Sequence, residues 1–149
     1  MNSSTPAPAS PVGSDRALVL IAEDEEPLAQ TTAAMVREAG YSAIVALHGR
    51  QALELARLRR PALLIVDLML PYLSGAQVIA ALREDAERLG SVVPPTILVT
   101  GANLTRARAA GADVVLRKPF YLADLEELLH RFLAPARAAP SAEAAASGS

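Results

Sequence analysis

"PALLIVDLMLP", residues 61–71, decides how this chain is read. Six mostly aliphatic residues lead into one carboxylate, Asp67, and the apolar character then resumes. An ionised group in so apolar a run is costly unless it lies at an edge with a partner. A helix cap would be polar on both sides, and this acid is not. Residues 62–66 therefore read as a strand buried on both faces, with Asp67 at its carboxyl end.

The same pattern repeats on either side. "ALVLIA" (17–22), "SAIVAL" (42–47), "PTILVT" (95–100) and "DVVLR" (113–117) read as further strands. Between them lie helical stretches. "EPLAQTTAAMVREAG" has Pro27 in its first turn, with Leu28, Thr31, Met35 and Ala39 on one face, and stops at Gly40. "GRQALELARLRR" ends at Pro61, "GAQVIAALREDAERLG" at Gly90, and "NLTRARAAG" is short. "YLADLEELLHRFL" closes the series, with Leu122, Leu125, Leu129 and Phe132 or Leu133 turned inward. Five βα units with continuous apolar strands predict an α/β fold, a doubly wound five-stranded parallel sheet covered by helices on both faces.

Composition narrows the rest. Hydrophobic residues are 52% of the 149 and aromatics only 3%, so the core must be built from aliphatic side chains. A net charge of −2 supplies no field to gather nucleic acid or anionic lipid. The absence of cysteine removes disulfides, zinc-thiolate sites and thiol catalysis. No apolar run approaches the roughly 18 residues of a membrane span, and residues 1–15 lack the basic start and apolar stretch expected of a signal peptide. The expectation is a soluble, cytoplasmic protein. Residues 1–15 and 134–149 are rich in Pro, Ala and Ser, and are expected to be disordered tails around one domain over 16–133.

In such sheets the site lies beyond the carboxyl ends of the strands. There the sequence places Glu23 and Asp24, then Asp67, then Thr100 and Gly101, then Lys118 and Pro119. Singly, each has an ordinary explanation. Acids favour a helix start, as Glu25 and Glu26 are taken to do, a threonine hydroxyl is easily satisfied, and a lysine usually sits in solvent. Together they are more informative. Carboxylates gathered from neighbouring strand ends repel, and Mg²⁺ relieves this while keeping waters and phosphate oxygens. A lysine, a hydroxyl and a backbone N–H complete a pocket fit for a phosphoryl group.

These residues resemble the receiver domain of two-component response regulators. The resemblance rests on Glu23-Asp24, "IVDLMLPYLSG" around Asp67 with Pro71 and Gly75, "LVTG" with Thr100, and "KPF" at 118–120. It runs from about Ala17 to Leu133 and implies a flavodoxin-like sheet ordered 2-1-3-4-5. It implies that Asp67 accepts phosphate from the phosphohistidine of a sensor histidine kinase or phosphotransfer protein. Mg²⁺ would be held by Asp67, Asp24 and the backbone carbonyl of Met69, with Glu23 acting largely through water. Lys118 would pair with one phosphoryl oxygen, the Thr100 hydroxyl would donate to another, and the Lys118–Pro119 bond would be cis. The chain would not be an enzyme beyond assisting its own phosphorylation and dephosphorylation. A downstream protein target would read the switch. A stand-alone type without output domain is expected, with no direct nucleic-acid contact and no membrane contact.

Two departures from the family pattern stand out. Three residues before the lysine, where the family usually has Tyr or Phe, stands Val115. Thr100 and Lys118 are only eighteen positions apart, which shortens the fourth helix to about 103–110. Both fall on the face that receivers commonly turn to partners, so a remodelled output surface around 103–110, Val115 and the last helix is expected. Met69 and Ala102 offer no carboxylate or amide to orient water, so slow dephosphorylation is expected. His48 and His130 read as structural or surface residues, and Arg57, Arg59 and Arg60 as a solvated face. Arg106 and Arg108 lie nearer the output surface. The competing reading is a pseudo-receiver, an interaction scaffold that works without phosphate. A dehalogenase-type phosphatase would need an aspartate where Met69 stands, and neither a P-loop nor G-x-G-x-x-G is present.

Overall fold

The computed structural model describes residues 16–101 and 104–133. The predicted tails at 1–15 and 134–149, and the readings that involve Ala102 and Asn103, lie outside the described residues.

Strand β1 (Leu18–Ala22) is followed by α1 (Glu26–Glu38), β2 (Ser42–Ala46), α2 (Gly49–Arg59) and β3 (Leu63–Asp67). Then come α3 (Gly75–Leu89), β4 (Thr96–Thr100), α4 (Leu104–Ala109), β5 (Val114–Arg117) and α5 (Leu122–Leu133). All strand pairs are parallel, in the order β2-β1-β3-β4-β5, so the predicted doubly wound sheet is the observed one. The order reverses between β1 and β3, and both of their carboxyl ends open on the same rim.

Alternation along each strand divides the core in two, because successive side chains point to opposite faces. Leu20, Ala22, Leu64, Val66 and Leu98 pack with Ala52 and Leu53 of α2, Val78, Ile79 and Leu82 of α3, and Ala107 of α4. Val19, Ile21, Leu63, Ile65, Ile97 and Val99 pack on the other face with Ala33 and Val36 of α1 and Leu125, Leu128 and Leu129 of α5. Each fully buried Leu or Ile contributes about 1.5–3 kcal/mol relative to exposure. β3 and β4 are buried along their whole length, as their unbroken apolar runs require.

Local chemistry sets the helix boundaries. His48 caps α2, its Nδ1 accepting from the Gln51 N–H at 3.1 Å. Ser74 and Gln77 form a reciprocal capping box at the start of α3. Gly90 ends α3 in the left-handed conformation, φ 71°.

Three expectations need correction. In α1 the buried stripe is Ala29, Thr32, Ala33 and Val36, one position away from the expected set. Leu28, Met35 and Ala39 flank it, and Thr31 is exposed, its hydroxyl donating to the Pro27 carbonyl. Small side chains win the central line because they let the helix lie close on the sheet. In α5, Leu122 is exposed, while Leu128 joins Leu125 and Leu129 inside. Arg57 is more than a solvated side chain, since its guanidinium makes two bonds to Asp85 of α3, at 2.7 and 3.1 Å. Among the described residues, no helix is long and apolar enough to cross a membrane.

Candidate phosphoacceptor site

Four loops leave the carboxyl ends of β1, β3, β4 and β5 on one rim. Glu23 follows β1 directly and is buried, its backbone N–H donating to the Ala46 carbonyl at 3.0 Å. Asp67 is the last residue of β3 and lies beside Val99 in the β4 register, which leaves Thr100 one step further out. Both Asp67 and Thr100 are buried. The backbone N–H of Lys118 donates to the Thr100 carbonyl at 2.8 Å, extending the β4–β5 ladder by one rung. The Lys118–Pro119 bond is cis, as expected.

These placements bring the charges together. Lys118 Nζ lies 2.5 Å from Asp67 Oδ2 and 3.0 Å from Glu23 Oε1. The remaining oxygens are held by backbone. The Met69 N–H donates to Asp67 Oδ1 at 2.9 Å, and the Glu25 N–H donates to Glu23 Oε2 at 3.0 Å. A carboxylate held by an ammonium on one oxygen and an amide on the other has little freedom to rotate. Asp24 is exposed at the edge of the group. Glu23, Asp24 and Asp67 each offer an oxygen, and these oxygens lie within 4.8 Å of one another.

Burial, above all, pushes the Glu23 carboxyl up to about 7; the Glu25 N–H works against this, and the neighbouring Asp67 adds to it. Burial pulls Lys118 down, but its bonds to Asp67 and Glu23 outweigh this and leave it raised. So the pocket holds more negative charge than one ammonium balances. A small divalent cation with a preference for carboxylate oxygens fits such a donor set.

Of the residues named from the sequence, Glu23, Asp24, Asp67 and Lys118 meet in one cluster, and Thr100 stands beside them at the rim. The Met69 backbone borders the cluster through its N–H, while its side chain is exposed. Sequence reasoning missed the two backbone amides that hold Glu23 and Asp67. It also missed the brace beneath the loop after Asp67. There the His48 ring stands edge-on to Tyr72, with centroids 4.7 Å apart, and Tyr72 takes a φ of 72°. The one available signal was His48 directly before the helix-opening Gly49.

Comparisons with known proteins agree with this geometry. The family model described as the response regulator receiver domain matches residues 19–130. The transcriptional regulatory protein PdtaR of Mycobacterium tuberculosis is 40% identical over 108 residues, which are 72% of this chain and 52% of that protein. The chain thus spans about half the length of this relative. The polar-differentiation response regulator DivK of Brucella anthropi is 31% identical over 119 residues, covering 79% of this chain and 97% of DivK. Among solved structures, the receiver domain of sensor histidine kinase PA1611 from Pseudomonas aeruginosa is 31% identical with a TM-score of 0.66. That match covers 78% of this chain and 97% of the other, and the PA1611 structure holds a magnesium ion in its active site cleft. A family match over most of the chain, on a sheet of this order, leads to one conclusion: the chain belongs to the response regulator receiver domain family.

Proposed function

We propose that this chain is a phosphoacceptor switch of two-component signalling, with residues 16–133 as its receiver domain and Asp67 as the acceptor. The observation that carries the reading is the Lys118 ammonium held against both Asp67 and Glu23, with Asp24 close enough to share a ligand. The convergence of all four favours this over the scaffold reading, which has no use for it.

In the proposed reaction an Asp67 carboxylate oxygen attacks the phosphorus of a phosphohistidine on a sensor kinase or phosphotransfer protein. The P–N bond breaks as the O–P bond forms, and the donor imidazole, already protonated on its other ring nitrogen, leaves as the neutral ring. Glu23, Asp24, Asp67 and the Met69 carbonyl would hold Mg²⁺, which supplies positive charge to the phosphoryl oxygens when bound. The Met69 N–H and Lys118 fix the orientation of Asp67 before the partner arrives. Lys118 then passes from the carboxylate to a phosphoryl oxygen, and the Thr100 hydroxyl donates to another.

The new charge biases the β4–α4 region between two surfaces, one of which a downstream protein target reads. The family is a signalling family. For this chain the reading adds only self-assisted aspartyl phosphorylation and hydrolysis, at a cytoplasmic location. Because Met69 presents a thioether where water would have to be oriented, hydrolysis is expected to be slow, and a phosphoryl lifetime of seconds would contradict that.

The test is incubation with Mg²⁺ and a small acyl phosphate, followed by intact mass measurement. A gain of one phosphoryl group that disappears in Asp67→Asn supports the reading. No gain in the wild type returns the scaffold reading, and a gain that persists in Asp67→Asn moves the site.

A further inference from the structure

At the opposite end of the sheet from Asp67, residues from the last turns of α2 and α3 border a groove of about 760 Å³. Its floor is apolar and stiff, made by Pro61 and Ala62 before β3 and by Val93, Pro94 and Pro95 before β4. Leu89 and Val92 stand at its lip with 65% and 87% of their surface exposed, so the apolar area continues beyond the groove.

The rim is cationic. Arg57, Arg60 and Arg88 line it against one acid, Asp85. That acid is already occupied: Arg57 binds it through two nitrogens, and Arg88 Nη2 reaches Oδ1 at 3.0 Å. In a chain of net charge −2 this is a local excess of positive charge. Arginines near helix carboxyl ends also complement the helix dipole. The dipole explains their sign but not the exposed apolar lip and floor beside them. Arg60 adds a further sign. It takes the left-handed conformation, φ 47°, at the end of α2, where glycine is the usual occupant. A long cation thus occupies a position whose backbone conformation favours glycine.

We propose that this groove docks a partner polypeptide segment whose apolar side chains are flanked by carboxylates. The apolar residues would lie on the Pro61–Ala62 and Val93–Pro95 floor and against Leu89 and Val92. The carboxylates would reach Arg60 and the outer nitrogens of Arg57 and Arg88. The three prolines and the Arg57–Asp85–Arg88 network hold the walls in place, which lowers the ordering cost of binding. The extension of apolar surface past the groove suits a chain-like partner better than an enclosed small molecule. Occupation would leave Asp67 open, because the two sites lie at opposite ends of the strands. The proposal does not depend on the phosphoacceptor reading.

The test titrates the isotope-labelled full chain with a short acetylated peptide of alternating Glu and Leu, following backbone amide shifts. Its Lys/Leu counterpart and dodecanoate serve as comparison probes. The proposal expects saturable shifts at Arg60, Ala62, Leu89 and Val92 with the Glu/Leu peptide and not with the Lys/Leu one. The double variant Arg60→Glu/Val92→Ser should weaken binding roughly tenfold or more. Both side chains lie outside the Asp85 network, and each single variant should lose part of the affinity if the double variant does not fold. No saturable shifts at these amides, equal binding of the Lys/Leu peptide, or unchanged affinity in the variants overturns the proposal. Binding of dodecanoate alone overturns it in favour of a small amphiphile. Concentration-dependent shifts of the same amides without peptide overturn it in favour of a second copy of the chain.

Discussion

The backbone N–H of Gly49 donates to the carbonyl of Pro71 at 3.0 Å, tying the first turn of α2 to the loop that leaves Asp67. The contact is so close that a Cβ at position 49 would run into the backbone and Cβ of Leu73. Met69, whose N–H orients Asp67, belongs to the same loop.

Gly49→Ala is therefore expected to push the loop away rather than fit beneath it. The overpacking should cost about 1–3 kcal/mol in urea unfolding. Displacing Met69 should also weaken Mg²⁺ binding in a calorimetric titration. An alanine that leaves both quantities unchanged would show that the loop is not braced by α2.

Lys118 competes with any cation for the same oxygens, since it touches both Asp67 and Glu23. Removing it in Lys118→Ala frees two carboxylates. A charge-assisted hydrogen bond contributes about 1.5–3 kcal/mol net, so Mg²⁺ affinity should rise about tenfold or more. Phosphoryl uptake should nonetheless slow, because no ammonium remains to meet the transferring oxygens. Weaker Mg²⁺ binding in the variant would mean that the lysine organises the carboxylates rather than competing for them.

Glu23 gives the metal-free protein a pH dependence of known sign. Its carboxyl is raised from 4.5 to about 7 by burial foremost, so the folded state prefers the protonated form. Below 4.5 the group is neutral whether folded or unfolded and adds nothing. Above about 7 it is ionised in both, and the full penalty of burying the charge is present. Stability should therefore fall as pH rises from 4.5 to 7 in chelator, and Glu23→Gln should flatten that slope. Saturating Mg²⁺ should restore stability at the upper end of the window. An identical slope in the glutamine variant would remove Glu23 as its cause.

The sheet and the charged rim were legible in the sequence because both rest on short-range signals. Short continuous runs such as Leu63–Val66, bounded by Pro61 and Asp67, read as buried strands, and the acids and Lys118 follow those runs directly. Helix faces were less legible. Leu28 and Met35 looked like the core side of α1 because they are large, but distance to the sheet selected Ala29, Ala33 and Val36. The same held in α5, where Leu122 and Leu128 compete for one stripe and only packing against α1 and the sheet decides. Partnerships across the sequence were hidden altogether. Arg57 and Asp85 lie 28 positions apart, and the Gly49–Leu73 contact depends on how α2 meets the loop.

The Arg57–Asp85–Arg88 network should make itself felt in acid. Asp85 is held below the usual carboxylate range, first by its bonds from Arg57, which outweigh burial, and then by the two positive charges. A lowered folded value means the stabilisation is complete above the unfolded value of about 4 and is lost as pH falls below it. Asp85→Asn should therefore be less stable at neutral pH and show a shallower loss of stability as pH falls below about 4. Parallel curves for wild type and variant would remove this network from the acid limb.

Val115 leaves room where the family usually places a ring. It is half-buried in β5 and borders a cleft of about 430 Å³ together with Leu104, Arg108 and Arg117. Val115→Tyr adds apolar area that the cleft can take without moving β5. The expected stability is within about 1 kcal/mol of wild type, or higher, by urea unfolding. Phosphoryl uptake at Asp67 should be unchanged, because Val115 packs with the α2, α3 and α4 side of the sheet and not with the charged rim. Binding of a downstream target that reads the α4–β5 surface should change. A loss of more than about 2 kcal/mol would mean that β5 and α4 close on the ring, and the cleft would not then be the surface on which this chain differs from its relatives.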